Sequence, residues 1–250
     1  MICPKCQLEL PDSSAECPRC GIVFARWHGR TEDDPPVLAP RSAPPPAVAE
    51  KPPFSEWLPE LLFEVPATVP PAAFAGRALL AAFLFLWGWR FLLSSVADNY
   101  VGSSFLHLVN LPFHEAGHVI FSPFGDFLHT LGGTLGQLLV PAVCLGAFLF
   151  YTRDTFGAAV ALWWLAENCM DIGPYIADAR SGELLLLGGV TGREAPGYHD
   201  WENILGTLGL LRYDQTLGAL AYGVGRLLML AAFAWGGYVL ARQYRNRVRG

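Results

Sequence analysis

The sequence predicts a mainly α protein: a polytopic helical membrane domain with about five apolar segments, preceded by a small β-type unit stapled by metal. Three observations lead there. The 250 residues are 52% hydrophobic and only 16% charged, where a soluble domain carries about 25% charge. Apolar runs of membrane-spanning length, roughly 20 residues, recur from residue 75 to residue 241. Four of the six cysteines crowd into the first 20 residues as two C-x2-C pairs.

Those pairs are Cys3-Pro4-Lys5-Cys6 and Cys17-Pro18-Arg19-Cys20. Two such knuckles present four thiolates to one tetrahedral ion, the donor set of a structural zinc. Residues 1–28 resemble the zinc-ribbon family, whose knuckles often read CPxCG; Gln7 stands where many ribbons have glycine. Four thiolates leave no open coordination position, so this zinc is expected to be structural. A segment this short has almost no core without its metal. The first 30 residues hold no apolar signal segment, so the N-terminus is expected in the cytoplasm, where thiols stay reduced. Cys144 and Cys169 sit alone in apolar runs and read as small buried hydrophobes. The net charge is −5 and no basic stripe appears, which argues against nucleic acid and leaves a protein as the expected partner of the ribbon.

Residues 29–72 hold 12 of the 20 prolines and read as a semi-extended linker. Within them, residues 54–63 have the pattern of a short interfacial helix with Trp57 at headgroup depth. Residues 73–250 are expected to form the membrane domain, in contact with the lipid bilayer. Its apolar segments are 75–97, 104–122, 127–151, 155–176 and 217–241. The first carries Arg90, expected to snorkel or pair. The third contains Gly132, Gly133, Gly136, Gln137 and Pro141, a pattern of either a broken, re-entrant helix or a close-packing face of small residues. An amphipathic patch covers residues 199–211.

The second segment contains His114-Glu115-Ala116-Gly117-His118, an H-E-x-x-H sequence. On a helix, residues four apart lie about 40° apart around the axis, so both imidazoles project from one face and can grip one zinc. Glu115 lies beside them, where a carboxylate takes a proton from zinc-activated water. Ionisable groups in so apolar a run are costly and point to function. A catalytic zinc needs a third protein ligand. The fourth segment supplies Glu167, Asn168 and Asp171, followed by Asp178. Burial and spacing favour Asp171, with Glu167 and Asp178 as rivals. His107, His129 and His199 are further candidate nitrogens. If the N-terminus is cytoplasmic and all five segments span, the second and fourth run the same way, with His114 and Asp171 within about 9 Å in depth. That topology leaves Arg242, Arg245, Arg247 and Arg249 outside, against the positive-inside rule; a re-entrant third segment would bring them inside.

HEAGH in one apolar segment and Met170-Asp171-Ile172-Gly173 in a later one resemble the site-2 protease family of intramembrane zinc metalloproteases. That resemblance covers residues 104–178. It implies His114, His118 and Asp171 as zinc ligands, Glu115 as general base, and Asn168 as a residue orienting substrate or backbone. The family's Leu-Asp-Gly reads Met-Asp-Ile-Gly here, Pro174 follows rather than precedes the Asp, and no PDZ-like segment is visible. The expected function is zinc-dependent intramembrane proteolysis of a membrane protein substrate. The alternatives are a non-proteolytic zinc-binding membrane protein and a membrane-anchored zinc-ribbon binding module. The cofactors expected are two zinc ions, one catalytic and one structural. Elemental analysis should therefore find about two zinc per purified chain, and replacing Cys3 and Cys6 should remove one of them. A single zinc that vanishes with those cysteines would leave the membrane site without metal.

Overall fold

A computed structural model describes residues 1–27 and 54–247, and the chain divides into two compact units, Met1–Lys51 and Pro52–Gly250. Residue 28 of the expected ribbon and residues 29–53 of the expected linker lie outside the described residues.

The first unit is two tight knuckles. Each is closed by a pair of backbone bonds: Cys3 N–H to Leu8 O and Gln7 N–H to Cys3 O in one, Cys17 N–H to Ile22 O and Gly21 N–H to Cys17 O in the other. The residue after the second cysteine of each turns left-handed, Gln7 at φ 59° and Gly21 at φ 68°. The Gln7 departure from the ribbon pattern therefore occupies a conformation that glycine adopts without cost. The β-type ribbon is not formed as such: single antiparallel bridges join Ile2 to Glu9 and Glu16 to Val23, and no strand occurs among the described residues. Knuckles so short leave no room to extend a ladder beyond one bridge.

The second unit is helical. Its elements are α1 (Phe54–Phe63), α2 (Pro71–Leu93), α3 (Phe105–Phe121), α4 (Asp126–Gly146, continued by a π-helical turn to Thr152), α5 (Thr155–Ala177), α6 (Asp200–Thr207) and α7 (Asp214–Arg245). Proline at its first position starts α2. Asp154 caps α5 by accepting from the amides of Phe156 and Gly157 at 3.1 and 3.2 Å. Arg77 on α2 reaches the same carboxylate.

Helix α5 is the axis of this unit, with α2, α4 and α7 packed around it. Its Gly173 meets Gly218 of α7, where an added Cβ would lie 2.5 Å from the Gly173 carbonyl oxygen. Phe91, Trp163, Met170, Tyr222 and Met229 fill the core between α2, α5 and α7. Helices α3 and α4 form an antiparallel hairpin with Gly117, Gly132 and Gly136 at the seam. The glycines of the third apolar segment thus serve a continuous, close-packed helix rather than a re-entrant break.

Three helices are long and apolar enough to cross a membrane: Pro71–Leu93, Asp126–Thr152 and Leu211–Arg245. Exposed Leu79, Phe83 and Leu86 on α2, Val143 and Phe150 along α4, and Leu220 and Leu227 on α7 give them apolar outer faces. Of the five expected segments, three thus have the length and composition of a span. Helix α3, at 17 residues, is about 25 Å long, short of the roughly 30 Å hydrocarbon core. Helix α5 is enclosed by its neighbours and carries Glu167, Asn168 and Asp171 inward.

The expected linker also ends earlier than residue 72. Leu61 and Val69 are buried. Trp235 Nε1 donates to Leu62 O at 2.7 Å, Thr155 Oγ1 to Glu64 O at 2.8 Å, and Val69 N–H to Asn246 O at 3.1 Å. The short helix expected at 54–63 forms as α1, and it buries Leu61. Removing residues 1–51 should leave a membrane-inserted core that keeps one zinc, whereas removing 1–70 should strip the Leu61 and Val69 packing and lower thermal stability. Equal melting of the two truncations, followed by tryptophan fluorescence, would show that α1 is dispensable.

Candidate metal centre

In the first unit the Sγ atoms of Cys3, Cys6, Cys17 and Cys20 lie within 4.8 Å of one another. Cys3 and Cys20 are 3.6 Å apart and Cys6 and Cys17 3.5 Å. A zinc tetrahedron with Zn–S near 2.3 Å has edges of about 3.8 Å, so the four thiols fit. Burial opposes ionisation of Cys3, but the amides of Cys6 and Lys5 and the neighbouring thiols outweigh it and bring it down to about 6. Burial and the crowded sulfurs push Cys20 up to about 12. Thiols this close cannot all ionise alone; a divalent cation lets them.

In the second unit, His114 and His118 converge with Asp200, the first residue of α6, and their ligating atoms also lie within 4.8 Å of one another. Asp200 Oδ2 is 3.0 Å from His114 Nε2 and 3.3 Å from His118 Nε2. Zn–N and Zn–O bonds of about 2.0–2.2 Å give tetrahedral edges of about 3.4 Å, close to both distances.

The outer nitrogens decide what the inner ones present. His118 Nδ1 lies 2.8 Å from the carbonyl oxygen of His129, which can only accept, so Nδ1 carries the hydrogen. Gln137 Nε2 donates to Asp171 Oδ2 at 2.9 Å, which turns Gln137 Oε1 toward His114 Nδ1 at 3.2 Å. His114 therefore also has its hydrogen on Nδ1. Both rings turn Nε2 to one carboxylate oxygen, a contact that a ring proton or a shared metal cation can satisfy; with the proton, Asp200 pushes His118 up to about 9. Burial would raise the Asp200 carboxyl, but bonds to His114 and His118 and their charge when protonated outweigh it and hold the carboxyl at about 2. It stands ionised, as a ligand must.

Each ligand is placed by packing. Gly133 of α4 lies under the two histidines: a Cβ there would be 2.5 Å from His114 Nε2 and 2.6 Å from His118 Nε2. Asp200 is held by its own N–H, which donates to Tyr175 Oη at 3.0 Å. Trp201 Nε1 ties α6 to Thr134 Oγ1 of α4 at 3.2 Å. His199, fully buried, caps α6 by accepting the Glu202 amide at Nδ1, 3.2 Å away. Its Nε2 then carries the hydrogen and faces Asp178 Oδ2 at 3.4 Å. Burial lowers the His199 pKa and keeps the ring neutral.

The sequence-predicted residues sort as follows. His114 and His118 come together, and Glu115, next to them on α3, lines the same cavity of about 510 Å³. Asp171, the expected third ligand, lines the same cavity but is not in the group whose atoms could share an ion; Asp200 is. Asp171 instead bonds His107 Nδ1 at 3.0 and 3.1 Å, Gln137 and Asn110, and so acts on His114 at one remove. Neither rival belongs to the His114–His118–Asp200 group. Glu167 accepts from Asn110 at 2.9 Å in the core, and Asp178 accepts from Ser181 Oγ and from the amides of Glu183 and Leu184. Asn168 also lies in the core, donating to Asn110 Oδ1 and Trp164 O. Arg90, expected to snorkel or pair, lies over the Tyr100 ring at 4.9 Å. Asp200 follows His114 by 86 residues; the signal for it in the sequence was the His199-Asp200 pair opening the amphipathic patch at 199–211.

Asp200→Ala and Gly133→Ala should each lose the zinc of the second unit and keep that of the cysteines, counted per chain. Asp171→Asn should keep both ions, with the affinity of the histidine site reduced by no more than the 10- to 100-fold typical of partners to a ligand. Full zinc in Asp200→Ala, with loss in Asp171→Asn, would reverse the assignment. Comparison of the chain with protein-family models, curated proteins and solved structures gave no match.

Proposed function

We propose that the second unit is a zinc-dependent metallopeptidase that cleaves a membrane protein substrate at a site held among its apolar helices. The observation that carries this reading is the shared cavity. His114, His118 and Asp200 converge there as a three-ligand set, and Glu115 borders it from the same helix. Three protein ligands leave one coordination position for reactant, the arrangement of catalytic rather than structural zinc. Zinc in such a site supplies Lewis acidity and lowers the pKa of water toward about 7.

The protein's own groups have separable tasks. The Asp171–Gln137 pair and the His129 carbonyl hold the two imidazoles with Nε2 inward. Tyr175 and the α6 cap hold Asp200. Glu115 takes the proton of the attacking water and passes it to the leaving amine. Leu111, Ile172 and Leu184–Leu187 wall the cavity with apolar surface suited to apolar side chains. A helical substrate must unwind to enter, because its carbonyls are already bonded within the helix. The cysteine unit, as a structural zinc module, would recruit or tether a protein partner and raise its local concentration.

Glu115→Gln keeps shape and hydrogen bonding but removes the base. It should retain two zinc per chain and lose at least 10²–10⁴-fold in cleavage of a co-expressed membrane protein, assayed by immunoblot. Cleavage at the parent rate would contradict the peptidase reading.

A further inference from the structure

The cavity has a second polar wall that metal binding leaves unused. His107 stands seven residues before His114 on α3, two turns away on nearly the same face, hence about 10 Å along the helix. Its neighbour toward the core is fixed. Nδ1 faces both oxygens of Asp171, at 3.0 and 3.1 Å, and Asp171 is itself buried and held by Gln137 and Asn110. The His107 side chain is 36% exposed against 1% for Asp171. Both residues line the cavity that contains Glu115 and the three ligands. Among the described residues none bonds His107 Nε2, so a ring oriented by a buried carboxylate offers its free edge to the cavity.

We propose that His107 is a substrate-binding residue that holds a main-chain carbonyl of an extended, apolar peptide about three residues from the bond broken. The inference rests on the peptidase reading of the same cavity. The spacing follows from geometry: extended chain rises about 3.3 Å per residue, so three residues cover the distance between His107 and His114. The chemistry follows from the pair. With Nδ1–H given to Asp171, a proton on Nε2 completes an imidazolium ion-paired to the carboxylate. Its outer N–H is then a charge-assisted donor for a carbonyl oxygen. The leucines of 184–187 and Leu111 supply apolar contact for the side chains of such a peptide.

The test measures binding apart from turnover. Full-length, zinc-loaded Glu115→Gln protein is titrated into a fluorescein-labelled ten-residue Leu/Ala peptide in detergent, and the Kd is read from anisotropy. Adding His107→Phe should raise the Kd roughly ten- to hundredfold, the range of one hydrogen bond to a charged group, with both zinc ions retained. Adding His107→Gln, which keeps an N–H donor, should restore most of the affinity. If His107→Phe loses zinc, His107→Leu takes its place. An unchanged Kd with zinc intact, equal loss in the Gln and Phe variants, or no peptide binding at all would overturn the inference. The two readings separate in the parent protein. Binding that depends on His107 without any cleavage would remove the peptidase reading and leave the subsite. Cleavage with a KM indifferent to His107 would do the reverse.

Discussion

The Nε2 atoms of His114 and His118 lie 3.0 and 3.3 Å from one carboxylate oxygen of Asp200, and all three residues line one cavity. Groups so placed need a proton or a metal cation between them, and much of the second unit serves to hold them there. Gly133 admits the two rings against α4, where any side chain would collide with both Nε2 atoms. The Gly117–Gly132–Gly136 seam lets α3 and α4 approach closely enough for Gln137 and the His129 carbonyl to reach the outer nitrogens. Helix α6, eight residues long, is too short to be stable alone. The His199 cap, the Tyr175 hydroxyl and the Trp201–Thr134 bond fix it so that Asp200 faces the histidines.

Behind this centre lies a continuous polar network in an otherwise apolar bundle. It passes from His114 through Gln137 to Asp171, and from there to His107 and, by way of Asn110, to Glu167, Trp164 and Asn168. Polar groups so deep are expensive unless bonded, and a connected set of them specifies one arrangement of α3, α4 and α5. Asp171 is the hub: it turns Gln137, which sets the His114 tautomer, and it orients His107. Its burial and spacing favoured it as a ligand, and its bonds tie it to Gln137, Asn110 and His107.

What the sequence disclosed is what local spacing can disclose. His114 and His118, four apart on a helix, had to share a face, and the two C-x2-C knuckles had to bring four sulfurs together. Asp200 could not be found that way, because 86 residues and a loop separate it from His114 and only the tertiary bonds of α6 bring it back. The length and composition of α2, α4 and α7 identify membrane-competent helices, but composition alone did not distinguish α5, whose apolar surface is spent inside the bundle. Nor did it reveal that residues 54–70, rich in proline, pack against α5 and α7 through Leu62 O, Glu64 O and Val69.

The central claim is that one metal ion joins His114, His118 and Asp200. An experimental structure of the zinc-loaded protein with anomalous scattering measured at the zinc absorption edge tests it most directly. The account predicts one peak bounded by the Nε2 atoms of His114 and His118 and by Oδ2 of Asp200, at about 2.0–2.2 Å from each, separate from the peak among the four cysteines. A peak coordinated by Asp171, or none near the two histidines in protein that holds zinc only at its cysteines, would contradict it.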